Sequence, residues 1–159
     1  QELYAQQSAS SGGGGGFSGG GGNGQLSWPT WTNWITSSYG WRTHPIYGDQ
    51  RFHAGIDIGA GFGDTIMASA SGTVITCYEP YPGCNYGGTG YGNYLVIDHG
   101  NGLSTLYAHC RDIYVSNGSY VSAGQAIGEV GSTGGSTGAH LHYEVRVNGS
   151  TVDPLSYLP

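Results

Sequence analysis

A chain of 159 residues is long enough to form one domain with its own hydrophobic core. Only 9% of its residues are charged, it has no lysine, and four arginines against ten acids give a net charge of −6. This composition excludes nucleic-acid binding through phosphate neutralisation and leaves no basic patch for an anionic membrane. No apolar run approaches the roughly 18 residues of a membrane-spanning helix, so we expect no membrane insertion.

Two glycine runs, at residues 12–16 and 19–22, dominate the beginning of the chain. Such a composition buries too little apolar surface to offset the entropy lost on ordering. The sequence therefore predicts a flexible Gly-rich linker over residues 1–24 and a folded domain over residues 25–159.

Turn signals divide the rest of the chain into short strands, and no helical periodicity is sustained. Three Asn-Gly pairs, beginning at residues 101, 117 and 148, predict tight type I′ turns because both central residues of such a turn have a positive φ. We therefore expect a mainly β fold, a compact antiparallel β-sheet domain with short hairpins and long loops. The predicted strands cover residues 53–58, 65–68, 72–77, 94–98, 103–109 and 139–147.

Three cysteines are present in the sequence. Cys77 and Cys84 bracket a short loop rich in proline, glycine and tyrosine, and we predict a local disulfide between them. A pair of reduced thiols is the alternative. Cys110 remains, and strand alternation turns it away from His109, so a buried and unreactive thiol is predicted there.

The segment 139–147 alternates polar and apolar residues and carries two histidines. In an extended strand His140, His142, Glu144 and Arg146 share one face, while the residues between them face the core. Neutral imidazole is the commonest metal-binding side chain, so this face suits one metal ligand beside a second histidine that does not bind the metal. The spacing alone does not assign the two roles.

Two other segments offer groups for the same site. His53 and Asp57 are spaced i and i+4 on a predicted strand, and Gly55 leaves the face between them uncrowded, although a surface histidine paired with an acid is the alternative. His109 ends another predicted strand, where a lone histidine usually has a structural role. Taken together, two histidines and one carboxylate complete the three-ligand set of catalytic zinc sites, which leaves a position for water. Two further histidines remain to move protons.

Five motifs follow one another along residues 36–158. They are SYGWRTHP from Ser38, HAGIDI from His53, GNYLVIDHGNG from Gly92, YAH from Tyr107, and GSTG from Gly131 with HLH from His140. In this order the motifs resemble those of the LytM/lysostaphin-type zinc metallopeptidases, the M23 family. The resemblance covers nearly the whole predicted domain.

The resemblance implies a role for each residue of the site. One zinc ion per chain is expected, with His53, Asp57 and His142 as its ligands. His109 and His140 are then the catalytic pair around the attacking water. Tyr47 stands where the family can offer a tyrosine hydroxyl to the developing oxyanion.

Glu144 is a rival catalytic base because it shares a strand face with His142. We favour a supporting role, paired with Arg146 or accepting a hydrogen bond from the metal-bound histidine, since such histidines need an outer acceptor. The two remaining histidines, His44 in a loop and His99 beside a hairpin turn, are interpreted as structural.

The resemblance also implies a function. We expect a secreted or cell-envelope zinc endopeptidase, monomeric, that hydrolyses peptide cross-links or stem peptides of bacterial peptidoglycan at Gly-Gly or D-amino-acid-containing bonds. The alternative is a non-catalytic peptidoglycan-binding or hydrolase-activator domain, in which lost zinc ligands would be expected. The run at residues 12–16 is itself a pentaglycine, which raises the hypothesis that this tether enters the enzyme's own groove as an inhibitory segment or a processing site.

Overall fold

The computed structural model describes residues 17–18, 22–43 and 47–159. The pentaglycine run at residues 12–16 and the loop residue His44 lie outside these ranges, so the hypotheses attached to them stay predictions.

Within the described residues the secondary structure is almost entirely β, and the predicted mainly β, antiparallel fold is confirmed. The strands in chain order are β1 (Phe17–Ser18), β2 (Trp34–Ser37), β3 (Gly40–Thr43), β4 (Gln50–His53), β5 (Ile56–Ile58), β6 (Thr65–Met67), β7 (Gly72–Tyr78), β8 (Tyr86–Gly87), β9 (Asn93–Gly100), β10 (Leu103–Ile113), β11 (Tyr120–Val121), β12 (Ala126–Val130), β13 (Ser132–Thr133), β14 (Leu141–Val147) and β15 (Ser150–Val152). A short 3-10 helix, Pro154–Ser156, follows them. Among these residues no helix is long and apolar enough to cross a membrane.

One large sheet organises the described part of the chain. Its path runs β1-β2-β5-β14-β10-β9-β7-β11, while β12 pairs with β10 and β6, and β15 pairs with β14. Strands β3 and β4 form a separate antiparallel hairpin, and β8 pairs in parallel with β13. Strands β5, β14 and β10 are therefore neighbours near the middle of the large sheet, and side chains on one face of them lie close together.

The two faces of β14 differ as the sequence alternation predicts. Leu141, Tyr143 and Val145 are fully buried in the main hydrophobic core. His142 and Glu144 lie between them in sequence and therefore face the other side of the sheet. The apolar face anchors the strand, and the polar face is available for chemistry.

A smaller apolar cluster lies on that second face. It consists of Val96, Leu106 and Ala108, with Tyr91 and Tyr94 packed against it. In the register of β10 with β14, residue 106 lies opposite residue 144 and residue 108 opposite residue 142. The cluster therefore lies next to His142 and Glu144 on the same face of the sheet.

The predicted strand over residues 53–58 is wrong as a single element. His53 ends β4 in the separate hairpin, whereas Asp57 lies in β5 of the large sheet. The chain breaks at Gly55 because its backbone passes close to β14: a Cβ there would lie 2.3 Å from the carbonyl oxygen of Tyr143. In one extended strand, positions i and i+4 would be roughly 13 Å apart, so the break is what lets both side chains reach one site.

The Asn-Gly turns follow the prediction at two of three positions. Asn101 and Asn148 have φ values of 55° and 52°, and each is followed by a glycine with positive φ, as a type I′ turn requires. The turn at residues 117–118 is different, because only Gly118 has a positive φ, of 87°. The Ser119 amide there donates to the carbonyl of residue 116 at 3.0 Å, so the chain reverses in another turn type.

The predicted Cys77–Cys84 disulfide is not formed, since all three cysteines lie within the described residues and are free thiols. The Cys77 thiol points to the carbonyl of Val115 at 3.5 Å and packs against the core, whereas exposed Cys84 contacts the carbonyl of Pro82 at 3.7 Å. The two sulfurs are thus directed to different partners. Cys110 is fully buried, and burial raises the pKa of its thiol, in agreement with the predicted unreactive role.

The structure also places part of the predicted linker. Phe17 and Ser18 pair antiparallel with Ile35 and Trp34, which adds a short strand to the edge of the large sheet at β2. The backbone amide of Asn23 donates to the carbonyl of residue 156 at 3.0 Å. The division of the chain at residues 24 and 25 stays a prediction.

Candidate metal centre

Three buried side chains from two sheets converge on one point. Asp57 in β5 and His142 in β14 are directly opposite each other in the strand register, so their side chains project together from the same face. His53 reaches the same place from the end of the β3–β4 hairpin. All three side chains are fully buried.

The ligand-type atoms of this group lie close together. His142 Nδ1 is 2.9 Å from Asp57 Oδ1, and His53 Nε2 is 3.3 Å from each of these atoms. The second ring nitrogen of His53, Nδ1, is 2.9 Å from the carbonyl oxygen of Ser38, which requires its proton and leaves Nε2 directed to the group. Two imidazole nitrogens and one carboxylate oxygen within 4.8 Å of one another could hold a metal ion.

The state of Asp57 fits a bound cation. Its Oδ2 atom is buried and has no hydrogen-bond partner among the described residues. Burial alone would raise the pKa of this carboxyl, but the neighbouring His53, His140 and His142 hold it well below its ordinary value. An ionised, buried oxygen without a partner is costly unless a cation neutralises it. The residues present therefore fit a divalent metal ion, and nitrogen with carboxylate donors suits zinc.

His109 lies at an interruption of β10. The register with β9 shifts between residues 107 and 110, and His109 itself has a φ of 63°, a conformation that is uncommon for non-glycine residues within a strand. This backbone turn sends its Nδ1–H to the carbonyl of Thr133 at 2.6 Å. Its Nε2 is buried and has no partner among the described residues. Burial, and then the neighbouring histidines, hold the pKa of His109 well below its ordinary value, so the ring is a neutral base.

His140 precedes β14 and is held in an isolated bridge with Gly131. Its Nδ1 lies 3.0 Å from the carbonyl of Gly138, and its Nε2 lies 3.7 Å from Asp57 Oδ1. Burial lowers the pKa of His140, and Asp57 opposes that shift. The rings of His140 and His109 are 4.9 Å apart, so the structure brings the two predicted proton carriers together beside the metal-binding group.

Glu144 supports His142 from behind. Its Oε2 accepts from His142 Nε2–H at 2.9 Å, and its Oε1 accepts from Arg146 at 2.7 Å. Burial would raise the pKa of Glu144, but the hydrogen bond from His142 and the Arg146 charge lower it overall. Both carboxylate oxygens are engaged, which favours the supporting role over that of a base. His142 then presents Nδ1 to the metal-binding group.

Tyr91 is a residue of this site that the sequence did not reveal. Its hydroxyl donates to Glu144 Oε2 at 2.5 Å, and its ring stacks on His142 with centroids 5.8 Å apart. Arg146 also donates to the Tyr91 hydroxyl, at 3.3 Å. Tyr91 lies in the glycine-rich loop before β9, where no strand alternation indicates which way a side chain points, so no sequence signal could have identified it.

Tyr47 lies in the loop between β3 and β4, and its side chain is 69% exposed. The guanidinium of Arg51 packs over its ring at 5.5 Å from the centroid. Its role toward an oxyanion stays a prediction.

Comparison with known proteins agrees with this fold. Residues 51–154 match peptidase family M23. The DD-carboxypeptidase/endopeptidase Mpg of Neisseria meningitidis is 48% identical over 122 residues, which cover 77% of this chain and 26% of Mpg. The chain thus spans about a quarter of the length of this curated relative.

Two solved structures show the same fold. A zinc-containing peptidase from Vibrio cholerae superimposes with a TM-score of 0.68 at 36% identity, over 79% of this chain and 37% of that one. The catalytic domain of the antimicrobial peptidase lysostaphin from Staphylococcus simulans gives a TM-score of 0.60 at 33% identity, over 74% and 86% of the two chains. The resemblance predicted from the motifs is confirmed, and the chain belongs to peptidase family M23.

Proposed function

We propose that this chain is the catalytic domain of a zinc-dependent endopeptidase that hydrolyses peptide cross-links of bacterial peptidoglycan. The observation that carries the proposal is the convergence of His53 Nε2, Asp57 Oδ1 and His142 Nδ1 on one point, beside the two histidines His109 and His140. Three protein ligands are the number found in catalytic zinc sites, whereas structural sites use four.

The donor set determines what a bound ion contributes. Two neutral imidazoles and one carboxylate would leave zinc with net positive charge, and such an ion would lower the pKa of a bound water and polarise the scissile carbonyl. His53, Asp57 and His142 would hold the ion. Glu144 keeps the Nδ1 lone pair of His142 directed to it by accepting the proton of the opposite ring nitrogen.

The other two histidines handle protons. His109 is neutral, and its Nε2 lone pair is directed into the site, so it accepts a proton from the attacking water. Its Nδ1–H bond to the Thr133 carbonyl stabilises the imidazolium that results. As the C–N bond breaks, the leaving amine nitrogen takes a proton from the pair formed by His109 and His140.

Within peptidoglycan, we propose that the bond cut is the direct cross-link that contains a D-amino acid. The relative that is 48% identical is named a DD-carboxypeptidase/endopeptidase, and this name supports the choice of bond. A glycine bridge is the competing substrate. Because this substrate lies outside the cytoplasm, we propose that the protein is secreted or located in the cell envelope. We also propose that it is a monomer in which residues 1–24 tether the domain formed by residues 25–159.

The decisive experiment digests two purified cell walls, one directly cross-linked and one with glycine bridges, and identifies the new amino termini. New termini only in the first wall are expected. Cleavage confined to glycine bridges would overturn the assigned bond. Mass spectrometry that shows cleavage at residues 12–16 of the protein's own chain would also contradict it, because this run consists of Gly-Gly bonds. Zinc content is measured in parallel, and Asp57→Ala is expected to lose both zinc and wall lysis.

The alternative, a non-catalytic wall-binding or activator domain, is distinguishable in the same assay. A zinc-loaded wild-type protein that binds walls but releases no new termini would support it. The retention of three clustered donors with both neighbouring histidines supports the enzyme instead.

A further inference from the structure

A row of aromatic rings crosses the sheet face and ends at the metal-binding group. Tyr78, Tyr94 and Tyr91, here called the tyrosine ladder, follow one another with ring centroids 6.0 and 5.1 Å apart. The last ring, Tyr91, stacks on His142 at 5.8 Å and 29°. The ladder is therefore continuous with the site.

The strand register explains why these rings line up. Tyr78 at the end of β7 lies directly opposite Tyr94 in β9, so both project from the same face. Tyr94 and Tyr91 pack on the small cluster of Val96, Leu106 and Ala108, which shares its face with His142. Tyr91 and Tyr94 are half-buried and Tyr78 is 57% exposed, so the ladder becomes more exposed from the site toward β7.

We propose that the tyrosine ladder is an extended subsite that binds the peptide arm on one side of the scissile bond; this inference rests on the proposed endopeptidase function. A substrate whose carbonyl lies at the metal-binding group must continue across the sheet face in both directions. In one of these directions lies the tyrosine ladder, whose Tyr91 ring stacks on His142. Along the three successive ring contacts the path from His142 to Tyr78 is at most roughly 17 Å, which corresponds to no more than about five extended residues.

The chemistry of the ladder favours an uncharged arm built from small residues. Phenol rings offer flat, polarisable faces on which peptide planes can lie, and their hydroxyls supply neutral hydrogen bonds at the edges. The ion pair beside the ladder, Glu144 with Arg146, is already matched at 2.7 Å and leaves no single charge to attract a charged residue. Small residues let the backbone approach the rings closely.

The test uses cross-linked synthetic peptides with one scissile bond and arms of one to five residues, each arm lengthened in turn. For the arm that lies over the ladder, kcat/KM is expected to rise about tenfold up to four or five residues and then level off. In Tyr78→Ala, peptides with the longest and the shortest version of this arm should have nearly equal kcat/KM values. Tyr78→Phe should restore the wild-type ratio because the ring is retained. Tyr120→Ala, an exposed tyrosine on β11 outside the ladder, is the matched control and should behave as wild type.

Two results would overturn the inference. Equal length dependence in the wild type and Tyr78→Ala would show that the ladder does not contact the arm. Shifts of the Tyr78 and Tyr94 NMR signals on adding an N-acetylglucosamine oligomer, without length dependence for peptides, would assign the surface to glycan instead.

Failure of the proposed function is distinguishable from failure of this inference. If the wild type cleaves none of the peptides, the endopeptidase proposal fails. The ladder is then tested by titrating the five-residue-arm peptide into the protein and following the tyrosine signals. Unchanged Tyr78 and Tyr94 signals would overturn it.

Discussion

The two halves of the candidate site are built differently. Asp57 and His142 face each other across regular, register-matched strands. His109 and His140 lie where the sheet is interrupted, one at a shift of register with a φ of 63° and the other in an isolated bridge before β14. Regular pairing fixes the distance between metal ligands, whereas an interrupted backbone lets each remaining ring donate Nδ1–H to a carbonyl and turn Nε2 inward. With the proposed roles, metal binding and proton transfer should therefore be separable in this molecule.

The sharpest test of that division compares two histidines two residues apart. His142→Ala should lose zinc, because a ligand is removed. His140→Ala should keep zinc and lose turnover by about 10²- to 10⁴-fold, the usual contribution of a proton-transferring group. Metal analysis and steady-state kinetics measure the two quantities. Equal zinc content in both variants would show that the two halves are not separate.

The interrupted half depends on a buried amide. Asn93 Nδ2 donates to the carbonyls of Tyr81 and Cys110 at 2.8 and 3.0 Å, and its backbone amide donates to Thr133 Oγ1 at 3.1 Å. Asn93→Ala removes these side-chain bonds and takes away the amide oxygen that accepts from the Tyr81 backbone N–H at 2.8 Å, so it should lower the free energy of unfolding by about 2 kcal/mol. Turnover should fall with zinc content retained, because the Asn93 side chain holds the carbonyl of Cys110, the residue that follows His109. Asn117→Ala, in an exposed turn, serves as the control in urea unfolding and zinc assays.

The regular half should respond to a smaller change behind it. Tyr91→Phe keeps the ring that stacks on His142 but removes the hydrogen bond to Glu144. Outer partners of a metal-bound histidine are worth about tenfold or more in metal affinity, so zinc binding should weaken by about tenfold. Competition with a chelator measures this affinity without reference to activity. An unchanged zinc affinity would restrict Tyr91 to the ladder.

A histidine outside both halves should affect stability alone. His99 contacts the carbonyl of Ser71 at 2.9 Å and the hydroxyl of Thr105 at 2.8 Å, and burial lowers its pKa. A lowered folded-state pKa means that the unfolded chain binds the proton more readily, so stability should be lost as the pH falls below about 6.5. His99→Gln should flatten this part of the stability profile in urea titrations. Zinc content of the variant at neutral pH should equal that of the wild type.

The sequence predicted those parts of the fold that depend on short-range patterns. Alternation placed His142 opposite the apolar side of β14, and the Asn-Gly pairs at residues 101 and 148 gave the expected turns. Motif order then indicated which of the two neighbouring histidines joins the ligand group, a distinction that spacing could not make.

What the sequence could not predict depends on contacts between distant segments. The break at Gly55 arises from close approach to Tyr143, nearly ninety positions later, and no local pattern encodes it. The orientation of Tyr91 is fixed by Glu144 on another strand. The Cys77–Cys84 pairing was wrong because sequence proximity says nothing of the directions in which the two thiols point.

The contacts of His142 also determine how the site loads. Burial alone would lower its pKa, but its bonds to Asp57 and Glu144 raise that pKa to about 10. Before metal arrives, His142 is therefore an imidazolium, and the proton on Nδ1, directed to Asp57, stands in for the ion while Nε2–H remains bonded to Glu144. Each ion that binds must displace this proton into solution, so apparent zinc affinity should rise by about tenfold per pH unit near neutrality. Calorimetry in two buffers of different ionisation enthalpy would count the displaced proton, and acidification should release the ion.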